Sequence, residues 1–276
     1  MRWCVLSAAT AVLAGCSLIT NLDGLSDPGA SDAGASDAVA PGDASATEAS
    51  VDAAADGPPP GVDAGVPFCK TVTPAPFFCA DFEDGRTARQ IFTSVEEHLG
   101  ATVSVDNTDG RSSTGSLVLR FPGTAGAEGA ARVTLPASLT KLSVELDLRI
   151  DSFGEGDEHD FVGVFRNSAR EAGLEVRPSG QLAFDEDVPA DGGGDEEIKT
   201  GLARVLTSGW AHVTWVVVVE DDLATSVVSV DGTQIGTVRS SPEPFLDSEL
   251  VFGETVIGKL EKEWRSRIDN IVVRVE

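Results

Sequence analysis

Gly209-Trp210-Ala211-His212-Val213-Thr214-Trp215-Val216-Val217-Val218-Val219 is followed by Glu220-Asp221-Asp222 and then by Ala224-Thr225-Ser226-Val227-Val228-Ser229-Val230-Asp231-Gly232. In extended backbone, Ala211, Val213, Trp215, Val217 and Val219 share one face, and all five are apolar. Trp210, His212, Thr214, Val216 and Val218 share the other. A period of two, rich in β-branched residues, reads as a buried strand. The acidic triplet turns it into a second strand, Ala224 to Val230. This hairpin sets the expectation of an all-β protein, and Trp215 is expected in its core.

Working outward, short apolar runs recur with turn residues between them. Strands are expected at Thr102–Asp106, Ser116–Phe121, Ala131–Leu135 and Leu142–Ile150. Further candidates are Phe161–Phe165, Gly173–Val176, Gln181–Phe184, Leu202–Leu206, Gln234–Val238, Glu249–Ile257 and Ile268–Val275. The clearest alternation places Leu142, Val144, Leu146, Leu148 and Ile150 inward and Ser143, Glu145, Asp147 and Arg149 outward. Such a strand has one face in a core and the other in water or a groove. Only Arg86–Leu99 hints at helix. About a dozen strands over some 210 residues predict a two-sheet antiparallel sandwich.

The chain has 276 residues and a formal net charge of −25, with 29 glycines and no tyrosine. Nothing basic is clustered to neutralise phosphates, so nucleic acid is not an expected partner. Residues 1–15 carry Arg2 and a short apolar run from Trp3 to Val12, the pattern of a secretory signal too short to span a bilayer. From 16 to 66 the chain is dominated by Ala, Asp, Ser, Gly and Pro. Between Cys16 and Cys69 it has nine acidic residues and no Lys or Arg. So little apolar surface cannot offset ordering entropy, and a disordered tether is expected. As a flexible coil of about 40 residues it would span on the order of 35 Å. Residues 67–276 are left for the sandwich. Cys69 and Cys79 open it, and an even pair in an exported chain reads first as a disulfide.

Two resemblances add to this reading. Leu13-Ala14-Gly15-Cys16 resembles the lipobox of bacterial lipoproteins, which implies acylation of Cys16 and anchoring in a lipid bilayer. Ser17 after that cysteine implies sorting to the outer membrane, on its periplasmic face or at the cell surface. The second lies in the sandwich. It is carried by Phe78-Cys79-Ala80-Asp81-Phe82-Glu83-Asp84-Gly85, Gly115-Ser116-Leu117, Gly209–Val213, Val230-Asp231-Gly232 and Arg267-Ile268-Asp269-Asn270-Ile271-Val272-Val273-Arg274. Together these resemble the concanavalin A-like lectin/glucanase superfamily, in particular its laminin-G-like domains. The resemblance implies a jelly roll with first and last strands side by side. It also implies a protein that binds glycan or protein, or an enzyme that degrades polysaccharide.

The glucanase branch needs Glu-x-Asp-x-x-Glu, its two Glu serving as nucleophile and acid. Glu145-Leu146-Asp147-Leu148-Arg149-Ile150 ends in Ile150, and Glu158-His159-Asp160-Phe161-Val162-Gly163 ends in Gly163. Neither stretch can divide the two roles. A lyase needs a base near a neutralising Arg, and with no tyrosine the histidines are His98, His159 and His212. His212 shares a face with Trp210 and Thr214, either lining a sugar groove or hydrogen-bonded within the sandwich. Trp264, in the polar run Glu261–Arg265, is expected as an exposed stacking platform or folded onto the sandwich edge. By analogy with related jelly rolls, Glu83, Asp84 and Asp269 could hold a structural calcium, or Asp269 could cap a turn. Asp185-Glu186-Asp187 through Asp195-Glu196-Glu197 is expected as a mobile acidic hairpin loop.

The leading expectation is therefore a non-catalytic binding module for glycan or protein on a lipid anchor. A polysaccharide-degrading enzyme and a structural envelope protein are the alternatives.

Overall fold

A computed structural model of the chain describes residues 66–112, 114–154, 159–166, 169–189, 195–220, 223–240, 248–253 and 262–276. The expected signal segment and tether, with Cys4 and Cys16, lie outside the described residues. What is described is almost entirely strand. Helix is confined to two single turns, Phe68–Thr71 (α1) and Ala88–Ile91 (α2).

Among the described residues, fifteen strands follow in chain order. They are β1 (Phe78–Ala80), β2 (Ser94–His98), β3 (Thr102–Asp106), β4 (Ser116–Phe121) and β5 (Glu128–Thr134). Next come β6 (Lys141–Ser152), β7 (His159–Arg166), β8 (Ala169–Val176), β9 (Gln181–Pro189) and β10 (Asp195–Val205). The last five are β11 (Ala211–Glu220), β12 (Leu223–Val230), β13 (Thr233–Ser240), β14 (Ser248–Phe252) and β15 (Trp264–Val275).

They form two antiparallel sheets. The first, sheet A, runs β13-β12-β11-β6-β15-β4-β3, with β1 added alongside β15; the second, sheet B, runs β10-β9-β8-β7-β14-β5-β2. The two-sheet antiparallel jelly roll expected from the sequence is thus present. First and last strands lie side by side, with Phe78 opposite Val273 and Ala80 opposite Ile271.

The quoted hairpin forms as read. β11 and β12 pair from Val213–Val230 to Glu220–Leu223. Ala211, Val213, Trp215 and Val217 are buried, while His212, Thr214, Val216 and Val218 are half-buried on the outer face. Trp215 is core, and its indole Nε1–H donates to Ser226 Oγ at 3.2 Å. A buried indole needs such a partner, because an unpaired buried donor carries the whole desolvation cost. β6 lies on the other side of β11 and alternates as expected, with Leu142, Val144, Leu146, Leu148 and Ile150 all in the core.

Three local expectations need correction. Arg86–Leu99 holds only α2, after which the chain turns into β2; Thr87 and Gln90 form a reciprocal capping box around that one turn. The acidic stretch at 185–187 is not loop but lies within β9, and Glu197 lies within β10 directly opposite Asp187. Trp264 is not an exposed platform: it starts β15 and is 0% exposed, edge-on to Phe153.

At the entry to the sandwich, Cys69 and Cys79 form the expected disulfide. The backbone N–H of Cys69 also donates to Asp81 Oδ2 at 2.9 Å, so the incoming segment is held to β1 by two bonds. Closing a ten-residue separation this way is worth about 2–3 kcal/mol through the unfolded state.

Candidate functional site

The sequence-predicted residues His212 and Trp210 meet a polar network on the outer face of sheet A. Its centre is Asp147 on β6, directly opposite His212 on β11 and opposite Asp269 on β15. His212 Nδ1 lies 3.1 Å from Asp147 Oδ1. A carboxylate only accepts, so Nδ1 carries the proton and Nε2 is left as the second polar atom of the ring. Asp147 raises the pKa of His212 by hydrogen bond and charge, against an opposing desolvation effect. The His212 side chain is 41% exposed, whereas Asp147 is almost covered.

Asp147 has two further partners. Arg111 Nε stands 3.3 Å from its Oδ1, and Asn270 Nδ2 donates to its Oδ2 at 2.8 Å. Asn270 sits where β15 breaks register between Asp269 and Val272, with φ of +50°. Asn tolerates that left-handed backbone better than most residues. There its amide bridges Asp147 and the hydroxyl of Ser112, which donates to Asn270 Oδ1 at 2.9 Å.

Asp269 does the remaining work of this bulge. Its carboxylate accepts backbone N–H bonds from Arg111 at 2.8 Å, Ser112 at 3.4 Å and Asn270 at 2.7 Å. It is 0% exposed, and burial pushes its carboxyl up to about 7 although those three N–H groups pull the other way. This is the turn-capping alternative of the sequence reading. The other two residues proposed for calcium are engaged elsewhere. Glu83 accepts from the Gly115 N–H at 3.1 Å, and Asp84 pairs with Arg86 at 2.5 Å. The structure does not bring Glu83, Asp84 and Asp269 together.

Beside His212, Arg149 stacks 5.0 Å from the Trp210 ring centroid. The same guanidinium makes a two-pronged pair with Asp109, at 3.0 and 2.5 Å, and reaches Asp151 at 2.8 Å. Arg267, opposite it on β15 and nearly buried, is bonded to Asp151 at 2.7 Å and Asp106 at 2.8 Å. The Thr108 hydroxyl and Arg267 hold Asp106 down at about 2. On the other flank, Asp231 accepts from the His212 backbone N–H at 3.0 Å and from Arg204 of β10 at 2.9 Å. Trp210 thus lies against Arg149, which is paired with Asp109 and Asp151, and His212 is held by Asp147 at its ring and Asp231 at its backbone. Trp264 is not part of this network.

Glu145, first residue of the incomplete glucanase-like stretch, lies on the same face and pairs with Arg274. The second such stretch lies partly outside the described residues.

Sheet B carries the one metal-like cluster among the described residues. Oxygens of Asp185, Asp187 and Glu197 lie within 4.8 Å of one another, a spacing that could hold a cation. The Lys199 ammonium stands beside them, 3.7 Å from Asp185, 3.5 Å from Glu197 and 3.1 Å from buried Glu175. Lysine thus supplies positive charge where a divalent ion would.

No family model matches the sequence, and no curated protein matches it. Several solved structures match in fold. The endo-beta-1,4-glucuronan lyase of the fungus Trichoderma reesei superposes with a TM-score of 0.57 at 11% identity, covering 73% of this chain and 96% of that one. A sialidase gives 0.52 at 20% identity, with 73% of this chain matched to 19% of the sialidase. At these identities the likeness shows the jelly-roll fold alone.

Proposed function

We propose that this chain is an exported, lipid-tethered module that recognises carbohydrate through the patch around Trp210 and His212. The observation that carries the reading is the patch itself. The half-buried indole of Trp210 lies against Arg149, fixed in its pair with Asp109, and two positions on His212 is fixed by Asp147, which sets acceptors and donors next to an aromatic surface. Sugars present hydroxyls that both donate and accept, beside apolar C–H faces that stack on aromatic rings. The supporting fold is shared with a glucuronan lyase and with part of a sialidase. In this reading acylated Cys16 anchors the chain in the outer membrane, and residues 16–66 hold the sandwich away from it.

A second reading, lyase activity, is favoured by one specific feature. His212 lies beside both a carboxylate, Asp147, and an arginine, Arg111. An oriented histidine is a competent base in its neutral form. The raised pKa of His212 works against that at neutral pH, and Arg111 is already engaged by Asp147.

A glycan array, run beside an assay for unsaturated products on the same polysaccharides, tests the two together. Binding without product supports the module, and product abolished by His212→Ala supports the lyase. An array with no bound glycan ends the carbohydrate reading. For the anchor, incorporation of a labelled fatty acid that is lost in Cys16→Ala is the expected result.

A further inference from the structure

The geometry points to an uncharged glycan, rather than a polyuronate, as the ligand of the Trp210–His212 patch. The inference rests on the carbohydrate reading above and narrows it to one substrate class.

It follows from how the positive charges of the patch are spent. A polyuronate carries a carboxylate on every residue, and a site that grips it needs guanidinium or ammonium groups facing outward without partners of their own. Here Arg111 faces Asp147, Arg149 faces Asp109 and Asp151, and Arg204 faces Asp231. Arg267, opposite Arg149 on β15, faces Asp106 and Asp151, and Arg265 lies 3.4 Å from Asp151. The members that reach furthest into water are Arg204, Asp231 and Asp109, whose side chains are 46%, 45% and 43% exposed. An incoming carboxylate would meet two acids there, and an arginine already paired with one of them. Displacing either from its arginine would also break a charge-assisted pair, which in the case of Arg149 is two-pronged.

The whole chain adds to this local effect. A net charge of −25 repels a polyanion within about a Debye length of the surface, most strongly at low salt. An uncharged sugar meets none of these penalties. Its hydroxyls can donate to Asp109 or Asp231 and accept from the arginines without breaking the pairs, while its ring lies against Trp210. His212 adds a polar atom, Nε2, two positions along the same strand face.

The test uses the full-length protein and two sets of polymers. The uncharged set is a β-glucan, a mannan and a xylan without uronate substituents; the charged set is alginate, polygalacturonate and glucuronan. Affinity is measured by electrophoresis in polymer-containing gels and by calorimetry at two salt concentrations about tenfold apart. The expected result is binding to an uncharged polymer, insensitive to salt and weakened at least about tenfold in Trp210→Ala. Melting temperature checks the fold of the variant, and the salt series on the unaltered protein decides the question if the variant is unfolded. Tightest binding to a polyuronate, falling steeply with salt, overturns the inference and leaves the carbohydrate reading standing. Uncharged binding that is undisturbed in both folded Trp210→Ala and folded His212→Ala overturns the placement of the site. No binding to any of the six overturns both.

Discussion

The indole of Trp264 lies so close to Gly154 that a methyl group on Gly154 would stand 2.2 Å from its Cδ1 and Nε1. Neither residue can change without the other noticing. Gly154→Ala forces the buried indole to move and is expected to destabilise the domain by about 1–3 kcal/mol, the usual cost of overpacking. Trp264→Ala opens a cavity against Phe153 instead, at about 3–5 kcal/mol. Urea unfolding of both variants checks the pair. An unchanged midpoint for Gly154→Ala would show that the two are not in contact.

Asp147 should govern the titration of His212. In the folded protein the histidine is expected to titrate above its ordinary 6.5. Its ion pair then stabilises fully below 6.5, and that contribution fades as pH rises through the raised folded value. In Asp147→Asn the His212 ring resonances should titrate at lower pH, and the difference in stability between the two proteins should narrow across the same window. Histidine NMR reads the first effect directly. A wild-type value at or below 6.5 would contradict the hydrogen bond.

Asp269 should impose a slope of its own. Burial lifts its folded value from 3.8 to about 7, so the native state holds a proton that the unfolded chain has released. The resulting stabilisation is complete below about 3.8 and is lost as pH rises to 7. Asp269→Asn removes that slope. It should also lower stability throughout, because the amide must turn an N–H toward one of the backbone donors from Arg111, Ser112 and Asn270. Denaturant midpoints measured from acid to neutral pH, for both proteins, give the comparison. Parallel curves would rule out the titration.

Lys199 should hold the acidic cluster of sheet B against divalent ions. Calcium is expected to change the melting temperature of the wild-type protein little. In Lys199→Gln, Asp185, Asp187 and Glu197 lose that internal cation, and calcium should then stabilise the fold. Melting curves in calcium and in chelator, for both proteins, measure it. Strong chelator sensitivity of the wild type would instead identify a resident ion.

The legible parts of the sequence were those where one physical signal acted alone. β6 alternates apolar and polar residues along its length, and β11 alternates in burial from Ala211 to Val218, because one face meets the core and the other does not; both are readable to within a few residues. β9 and β10 were cut short in the reading because acids stand where alternation would put apolar residues. Those acids are tolerated because Lys199 on the facing strand meets them. β1 and β2 were missed: three residues, and five including Glu96, Glu97 and His98, leave no period to count. Trp264 was placed by its charged neighbours Glu263 and Arg265, whereas counting back by two from Ile268 through Ser266 reaches it on the inward face.

The candidate site was half legible. His212 and Trp210 could be named from their strand, and Asp147 was visible on the outward face of another. That the two strands are neighbours, with Asp147 opposite His212, depends on a pairing that skips four strands in the chain, and no local pattern records it. Asp109 and Asp231 came from turns, where acids are common for reasons unrelated to binding.

The place of β15 bears on how the protein folds. It is an interior strand, lying between β6 and β4 with β1 also attached to it. Without Trp264–Val275, sheet A would be left as two unjoined pieces, β13-β12-β11-β6 and β4-β3. Closing the core therefore waits on a pairing between β4 and a strand more than a hundred residues along the chain, the kind of non-local contact that forms slowly.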